Sequence, residues 1–234
     1  KHSAKSAGIK KPVIFMGDRD DHFTTQAGDG YAAFIGGATA QATHAMNEWW
    51  GNEGMGTMPH ALIQMYNGDV VEAARAYTAV YPQDDLIVLV DYNNDVITDA
   101  LKVAREFGDK LKAVRVDTSK TMIDQYFIGN PELLGTFDPR GVNPPLIFAL
   151  RKALDQEGYH HVQIVVSGGF TVERILAFEK QGVPVDLYGV GGSLLKVNIG
   201  FTGDNVELNG EPQAKVGRKL RGNPRLEKVK MSPR

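Results

Sequence analysis

Two strand patterns that each end in a pair of glycines constrain the fold of this chain more than any other feature. Residues 162–166 form a short apolar run that ends in Ser-Gly-Gly, and residues 185–190 form a second run that ends in Gly-Gly-Ser. Between them, Thr171 is a candidate N-cap, and apolar residues recur at a helical spacing as far as Gly182. This order of strand, turn, helix, strand and turn predicts an α/β fold.

The two glycine pairs, Gly168-Gly169 and Gly191-Gly192, also indicate a binding site. Glycine has no side chain that would keep an oxyanion away from backbone N–H groups, so such turns can hold a phosphate. In (β/α) barrels the phosphate site lies at the loops after the last two strands. Tight turns without a ligand are the alternative. The occurrence of two glycine pairs at consecutive strand ends favours the phosphate-binding interpretation over the tight-turn interpretation.

Composition is typical of one large globular core and excludes several functions. The 234 residues are 42% hydrophobic and 23% charged, and the net charge of −2 gives no general attraction to nucleic acid or membrane. The absence of cysteine excludes disulfides, thiolate zinc sites and a cysteine nucleophile. No apolar run approaches the roughly 18 residues that span a bilayer, and no signal-peptide pattern is seen, so we expect a cytoplasmic protein.

We expect a main α/β domain at residues 1–200 and a hairpin with a basic tail at residues 201–234. The hairpin is predicted at 205–212, with Asn209-Gly210 in a type I′ turn. Residues 29–50 are predicted to form a helix or a helix pair, and residues 120–143 a long polar loop. Residues 1–8 are predicted to be helical or disordered, and residues 194–199 to form a short strand.

Charged side chains follow the first predicted strands. Arg19 and His22 come just after the strand at 12–16, where barrel enzymes place ligand-binding side chains; a solvated, salt-bridged loop is the alternative. Asp91 follows the apolar run at 86–90 and indicates a contact to magnesium or to a ribose hydroxyl, with a helix N-cap as the alternative.

Arg115 alternates inward within the predicted strand at 113–116. A buried arginine is costly unless it is paired, so we expect either a carboxylate partner or an anionic ligand. Asp117, at the end of the same strand, is the candidate carboxylate.

His60 lies near the N-terminus of a predicted helix, directly after Pro59, which suits a first turn. Because a helix N-terminus stabilises anions, we expect the imidazole to stay neutral and nucleophilic, and a phosphate placed on it to be favoured. A buried structural histidine is the alternative.

Five motifs in one order resemble the nicotinate phosphoribosyltransferases, which belong to the type II phosphoribosyltransferases together with the nicotinamide and quinolinate enzymes. The motifs are GTMPHAL at 56–62, LVD at 89–91, VRVDTS at 114–119, VSGGF at 166–170 and YGVGGSLL at 188–195. The resemblance implies an irregular (β/α) TIM-like barrel with a small C-terminal hairpin extension. It also implies an enzyme that joins nicotinate to phosphoribosyl pyrophosphate, giving nicotinate mononucleotide and pyrophosphate in NAD biosynthesis.

The resemblance also implies roles for individual residues. It implies coupling to ATP through phosphorylation of His60, and it places Asp91 near a magnesium-bound pyrophosphate. It places Arg115 and Asp117 beside the pyridine ring and the ribose. His60, Asp91 and Asp117 are therefore the candidate catalytic residues, with Mg²⁺ as cofactor and ATP as co-substrate.

The remaining candidate residues are expected to bind substrate. The two glycine turns match a site for the ribose 5′-phosphate, and Arg19 and His22 occupy the place of a basic pair that faces the anionic substrates. Within the motifs, the further candidates for substrate contact are Thr57 and Ser167.

Family members form dimers and carry a preceding N-terminal domain that supplies an aromatic residue to the neighbouring pyridine site. The 234 residues do not contain that domain. We therefore expect a homodimer whose missing part is a separate N-terminal chain or a segment that has been removed, or else a fragment with impaired turnover. The stretch GDRDDHF at 17–23 also differs from the commoner arginine-rich version. A nicotinamide- or quinolinate-using relative, a subunit that needs a partner chain, and a non-catalytic phosphate-binding barrel are the alternatives; quinolinate should require more arginines around the ring.

Overall fold

A computed structural model describes residues 11–196, 200 and 202–225 of the chain. The prediction for residues 1–8 lies outside these residues, and so do residues 197–199 of the strand predicted at 194–199. The described part of that segment, residues 194–196, forms no strand, and residues 194–195 lie in a turn. The chain divides into two compact units, Lys1–Leu195 and Lys196–Arg234, five residues before the boundary predicted at 200. None of the helices described is both long enough and apolar enough to cross a membrane.

The first unit contains a six-stranded sheet in which every pair of neighbours is parallel. The strand order is β2-β1-β6-β5-β4-β3. The strands are β1 (Val13–Phe15), β2 (Ala40–Gln41), β3 (Leu86–Leu89), β4 (Leu111–Val116), β5 (Gln163–Val166) and β6 (Leu187–Val190). Parallel neighbours require crossover connections, and helices supply most of them.

Eight helices accompany the sheet in the described part of the first unit. They are α1 (Gln26–Gly36), α2 (His44–Asn47), α3 (His60–Met65), α4 (Val70–Val80), α5 (Val96–Phe107), α6 (Gln125–Gly129), α7 (Pro144–Gln156) and α8 (Val172–Lys180). Short 3₁₀-helices lie at Phe23–Thr25, Gly108–Lys110 and Pro131–Leu133.

Apolar periodicity explains the main elements. All four residues of β3 are buried, as expected for a strand covered on both faces. In α5 the buried positions Val96, Ala100, Val103 and Ala104 follow a helical repeat, so one face of the helix packs on the core. Thr171, the candidate N-cap, accepts from the N–H of Arg174, and Asn143 caps α7 in the same way by accepting from the N–H of Leu146.

Two local predictions hold only in part. The region at 29–50 contains a helix pair, α1 and α2, as one of its two predicted forms, but the strand β2 between them was not predicted; with only two residues, β2 is too short to show a periodicity. The polar loop predicted at 120–143 contains α6 and a 3₁₀-helix. Asp124 initiates α6 there by accepting from the Tyr126 N–H, and it also accepts from the Val96 N–H.

The α/β class is confirmed, and the sheet is curled, but a closed barrel is not confirmed. In the described residues the edge strands β2 and β3 are not hydrogen-bonded to each other. The segment at 52–59 follows β2, where the Met55 N–H donates to the Gln41 carbonyl at 2.8 Å, and Met58 is fully buried. This segment has no regular secondary structure.

The second unit contains the predicted hairpin. Strands β7 (Glu207–Leu208) and β8 (Glu211–Pro212) pair antiparallel. Asn209 and Gly210 both have positive φ, at 52° and 84°, as a type I′ turn requires.

Candidate functional site

The candidate site lies at the carboxyl ends of four neighbouring strands, β3, β4, β5 and β6. Asp91 follows β3 by two residues, Asp117 follows β4 directly, Ser167 follows β5 and Gly191 follows β6. Because these strands are parallel neighbours, the segments after them lie at one edge of the sheet. Ligands bind at this edge in open α/β sheets.

Arg115 and Asp117 form the centre of the site together with two hydroxyl groups. Arg115 Nη2 donates to Asp117 Oδ2 at 3.0 Å, and Arg115 Nε donates to Ser167 Oγ at 3.2 Å. Ser167 Oγ in turn donates to Asp117 Oδ1 at 2.8 Å, and Arg115 Nη1 donates to Thr57 Oγ1. The structure therefore brings together four predicted residues, and the carboxylate partner expected for the inward arginine is Asp117.

This network leaves the charged pair only partly accessible. The side chains of Arg115 and Asp117 are 15% and 21% exposed. Charge-assisted hydrogen bonds between partly buried groups are strong and fix their geometry. The pair can therefore present a rigid, charged surface to a small ligand.

His60 and Asp91 form a second pair at the same edge of the sheet. His60 Nε2 lies 3.1 Å from Asp91 Oδ2, and the His60 side chain is 45% exposed, whereas that of Asp91 is 5% exposed. Asp91 does not cap α5, whose N-cap residue is Asp95. The other oxygen of Asp91, Oδ1, is buried and has no hydrogen-bond partner in the described residues.

The electrostatics of His60 differ from the prediction. The hydrogen bond to Asp91 raises the pKa of His60 above its ordinary value, although partial burial opposes this effect. The expectation that the helix N-terminus keeps the imidazole neutral is therefore wrong in direction. The six-residue helix α3 provides a weak dipole, whereas a carboxylate in contact favours the charged imidazolium.

The two glycine turns lie side by side after β5 and β6, and the Ser193 hydroxyl links them by donating to the Phe170 carbonyl at 2.8 Å. Gly168 and Gly169 have φ of 89° and 70°, a conformation that L side chains rarely adopt. Within residues 11–196 the N–H groups of Gly168, Gly169 and Gly192 have no hydrogen-bond acceptor. These donors are available to an oxyanion.

Both turns also lack space for a side chain. A Cβ on Gly168 would lie 3.0 Å from Asp117 Oδ1, and a Cβ on Gly192 would lie 2.5 Å from Asp20 Oδ1. Glycine at 168 therefore allows the Arg115–Asp117 pair to adjoin the turn. The neighbour of the second turn is the loop at 17–22, through Asp20.

Arg19 and His22, the predicted basic pair, are not joined to this site by any hydrogen bond within residues 11–196. Both residues are exposed. His22 Nδ1 lies 2.8 Å from Thr24 Oγ1 and caps a 3₁₀-helix. The residue of this loop that approaches the glycine turns is the acidic Asp20, which was not predicted. No local pattern marks it, because the approach depends on how the whole loop folds back.

Arg174 is a second neighbour of the glycine turns that has no predicted role. Its Nη1 donates to the Gly168 carbonyl at 2.7 Å. The sequence marks only its position, three residues after the N-cap Thr171.

The residues present do not form a metal cage of their own. Among the described residues, no three His, Asp or Glu side chains are grouped so that they could hold a metal ion. Magnesium in phosphate-handling sites is commonly held by one or two carboxylates together with substrate phosphates. Asp91 fits that second arrangement, as a single carboxylate with one oxygen that has no hydrogen-bond partner among the described residues.

Comparisons with known proteins confirm the resemblance seen in the motifs. No family model matches the chain. It is 28% identical over 221 residues to nicotinate phosphoribosyltransferase pncB1 of Mycobacterium tuberculosis, covering 90% of this chain and 44% of that protein. It is 26% identical over 169 residues to nicotinate phosphoribosyltransferase of Bacillus subtilis, covering 70% of this chain and 29% of that protein. The chain thus spans less than half the length of these curated relatives.

Solved structures share the fold. A nicotinate-nucleotide pyrophosphorylase from Pyrococcus furiosus superposes with a TM-score of 0.71 at 35% identity, covering 94% of this chain and 50% of that one. A nicotinate phosphoribosyltransferase from Porphyromonas gingivalis superposes with a TM-score of 0.58 at 15% identity, covering 80% and 46%. At this lower identity the second likeness shows the fold alone.

Proposed function

We propose that this chain provides the phosphoribosyl-transfer site of a nicotinate phosphoribosyltransferase, which joins nicotinate to phosphoribosyl pyrophosphate in NAD biosynthesis. One observation carries the proposal: the Arg115–Asp117–Ser167 network adjoins a glycine turn whose N–H groups have no acceptor within residues 11–196, at the carboxyl edge of the sheet. A cation, a carboxylate and an oxyanion site together match a substrate with an anionic ring, a ribose and a phosphate.

The network can serve the reaction through electrostatics. Breaking the bond between ribose C1 and pyrophosphate leaves an oxocarbenium-like centre, and the ring nitrogen of nicotinate attacks it. The Asp117 carboxylate stabilises the developing positive charge, while the Arg115 guanidinium orients the nicotinate carboxylate. Asp117 is held in place by Arg115 and Ser167, so little reorganisation is needed when the charge develops.

The pyrophosphate requires positive charge, and we propose that Mg²⁺ enters with it. Asp91 would hold the ion, whose chemistry is to neutralise the leaving group. Asp91 Oδ1 supports this assignment, because it has no hydrogen-bond partner in the part of the chain that the structure describes. Arg19 and His22 would face the same anions if the loop at 17–22 rearranged.

We propose further that ATP acts through His60. Because Nε2 faces Asp91 Oδ2, the neutral ring donates from Nε2 and keeps its lone pair on Nδ1. Nδ1 can then attack the terminal phosphorus of ATP and displace ADP. Asp91 holds the ring in this orientation.

We propose that the curled sheet completes an irregular barrel through the segment at 52–59. It contacts β2 through Met55, and Thr57 reaches Arg115 on β4.

A homodimer, or a complex with a separate N-terminal chain, is proposed as the assembled form. The exposed apolar side chains Phe34, Ile35 and Trp49, at 44%, 67% and 39% exposure, support such an interface, and sedimentation would measure it.

The test of the proposed reaction is formation of nicotinate mononucleotide from nicotinate, phosphoribosyl pyrophosphate and Mg²⁺. We expect Asp117→Asn to lower kcat by roughly a hundred-fold, because a preorganised charge at the reacting centre is lost. Asp138→Asn is the matched control, since Asp138 pairs with Arg140 at the same two-residue spacing on an exposed loop. Equal rates for native protein and Asp117→Asn would refute the role of Asp117.

The same assay separates nicotinate from quinolinate. Arg115 is the guanidinium that contacts Asp117, whereas Arg174 is bound to backbone carbonyls. A second ring carboxylate would need another cation, so we expect product from nicotinate and none from quinolinate. A preference for quinolinate would assign the chain to that relative instead.

A further inference from the structure

Arg174, in the first turn of α8, has three contacts that fix its guanidinium beside the first glycine turn. Nη1 donates to the Gly168 carbonyl at 2.7 Å, and Nη2 donates to the Val142 carbonyl at 2.5 Å. The guanidinium carbon lies 4.2 Å from the centre of the Phe170 ring. These contacts hold the side chain in one orientation.

The charge of Arg174 is not balanced by a carboxylate among the described residues. Its hydrogen-bond partners in the described residues are the Gly168 and Val142 carbonyls, not an Asp or Glu side chain, and burial lowers the pKa of Arg174. Arg151 shows the contrast: it also donates to two backbone carbonyls, but it pairs with Asp155 at 2.7 Å. A half-buried cation without an anionic partner is unfavourable, and an anion bound at the turn would offset this cost.

The bond to the Gly168 carbonyl also orients the next N–H. The described residues contain no cis peptide, so the Gly168 carbonyl and the Gly169 N–H point in opposite directions across their shared peptide plane. With the carbonyl directed at Arg174, the Gly169 N–H is directed away from it. This N–H has no acceptor within residues 11–196.

We propose that Arg174 is a positioning residue for a phosphomonoester at the Gly168-Gly169 turn: it orients the Gly169 N–H and supplies positive charge behind it. The proposal rests on the proposed function, in which this phosphomonoester is the 5′-phosphate of phosphoribosyl pyrophosphate. Arg174 acts through the backbone and contacts neither the pyridine ring nor the ribose C1.

The test uses ribose 5-phosphate as the probe, with binding measured by calorimetry on native protein, Arg174→Gln and Arg174→Lys. Gln retains a donor for the Gly168 carbonyl but loses the charge, so we expect roughly ten-fold weaker binding. Lys retains the charge, so we expect most of the affinity to be restored. In turnover assays the KM for phosphoribosyl pyrophosphate should rise in Arg174→Gln, while the KM for nicotinate stays unchanged.

Arg151→Gln is the matched control, because it removes the same kind of carbonyl contacts away from the turn. We expect it to lower the melting temperature and to leave ribose 5-phosphate affinity unchanged. Native affinity in Arg174→Gln, or equal losses of affinity in the Gln and Lys variants, would overturn the proposal. If Arg174→Gln does not fold, the Lys variant decides: native-like binding of ribose 5-phosphate supports the proposal, and weakened binding overturns it. A chain that binds ribose 5-phosphate through Arg174 but makes no mononucleotide would refute the proposed function alone.

Discussion

At the scale of single residues, the chemistry of the site depends on how two carboxylates are used. Asp117 is engaged on both oxygens, by Arg115 and Ser167, and so has a fixed position. Asp91 is engaged on one oxygen by His60, and its second oxygen has no partner in the described residues. The first arrangement suits a preorganised charge, and the second suits a group that changes partners during a reaction.

His60 should titrate above its ordinary pKa of 6.5, because Asp91 stabilises the imidazolium. In Asp91→Asn the pKa of His60 should fall, and NMR titration of the imidazole resonances measures both values. A spectrum at one fixed pH checks that the substitution leaves the rest of the fold intact, through the signal of His160, which lies 3.0 Å from Asp155 outside the site. An unchanged His60 pKa in Asp91→Asn would show that the contact does not form in solution.

The direction of this pKa shift determines how two properties depend on pH: the stability of the fold and the rate of the proposed phosphorylation. Since the folded-state pKa of His60 is raised, the pair stabilises the fold fully below pH 6.5, and this contribution is lost as the pH rises through the raised pKa. Attack by the imidazole requires the neutral ring, so the proposed phosphorylation should follow the opposite course. Its rate should increase as the pH rises through the same pKa.

At the scale of elements, what could be predicted depends on element length. The strand at 86–89 has a fully apolar pattern and is found where the sequence shows the apolar run at 86–90, and the helix at 96–107 has a clear helical repeat of buried residues. By contrast, β2 has two residues, and α6 has five, so neither contains a full period of its pattern. Contacts distant in sequence, such as the bond from the Val96 N–H to Asp124, define the α6 region instead.

The turn after β5 should tolerate no side chain at its first glycine. Gly168→Ala adds left-handed strain of about 1–2 kcal/mol and would also press on Asp117 Oδ1, 3.0 Å from the new Cβ. Gly158→Ala is the matched control, because its φ of 84° is similar and its Cβ would meet open space. We expect similar losses of unfolding free energy but a loss of mononucleotide formation only in Gly168→Ala. Full activity in Gly168→Ala would contradict the arrangement of turn and carboxylate.

At the scale of the whole molecule, the grouping of these residues could be predicted because parallel strands bring sequence-distant motifs to one edge. His60, Asp91, Arg115, Asp117 and Ser167 lie in four separate motifs, and hydrogen bonds join them into two groups at that edge. The loop at 17–22 could not be predicted in the same way. Its position relative to the second glycine turn depends on an exposed segment that no strand or helix pattern constrains.

The most direct measurement of the central claim is mononucleotide formation from nicotinate, phosphoribosyl pyrophosphate and Mg²⁺, with and without ATP. It should compare native protein with His60→Ala and with His160→Ala. His160→Ala is the matched control, because it removes a histidine–aspartate pair away from the site whose N–O distance, 3.0 Å, is close to the 3.1 Å of the His60–Asp91 pair. We predict product whose rate rises with ATP in native protein and His160→Ala, and a loss of the ATP response in His60→Ala alone. No product from the folded native chain would contradict catalysis by this site.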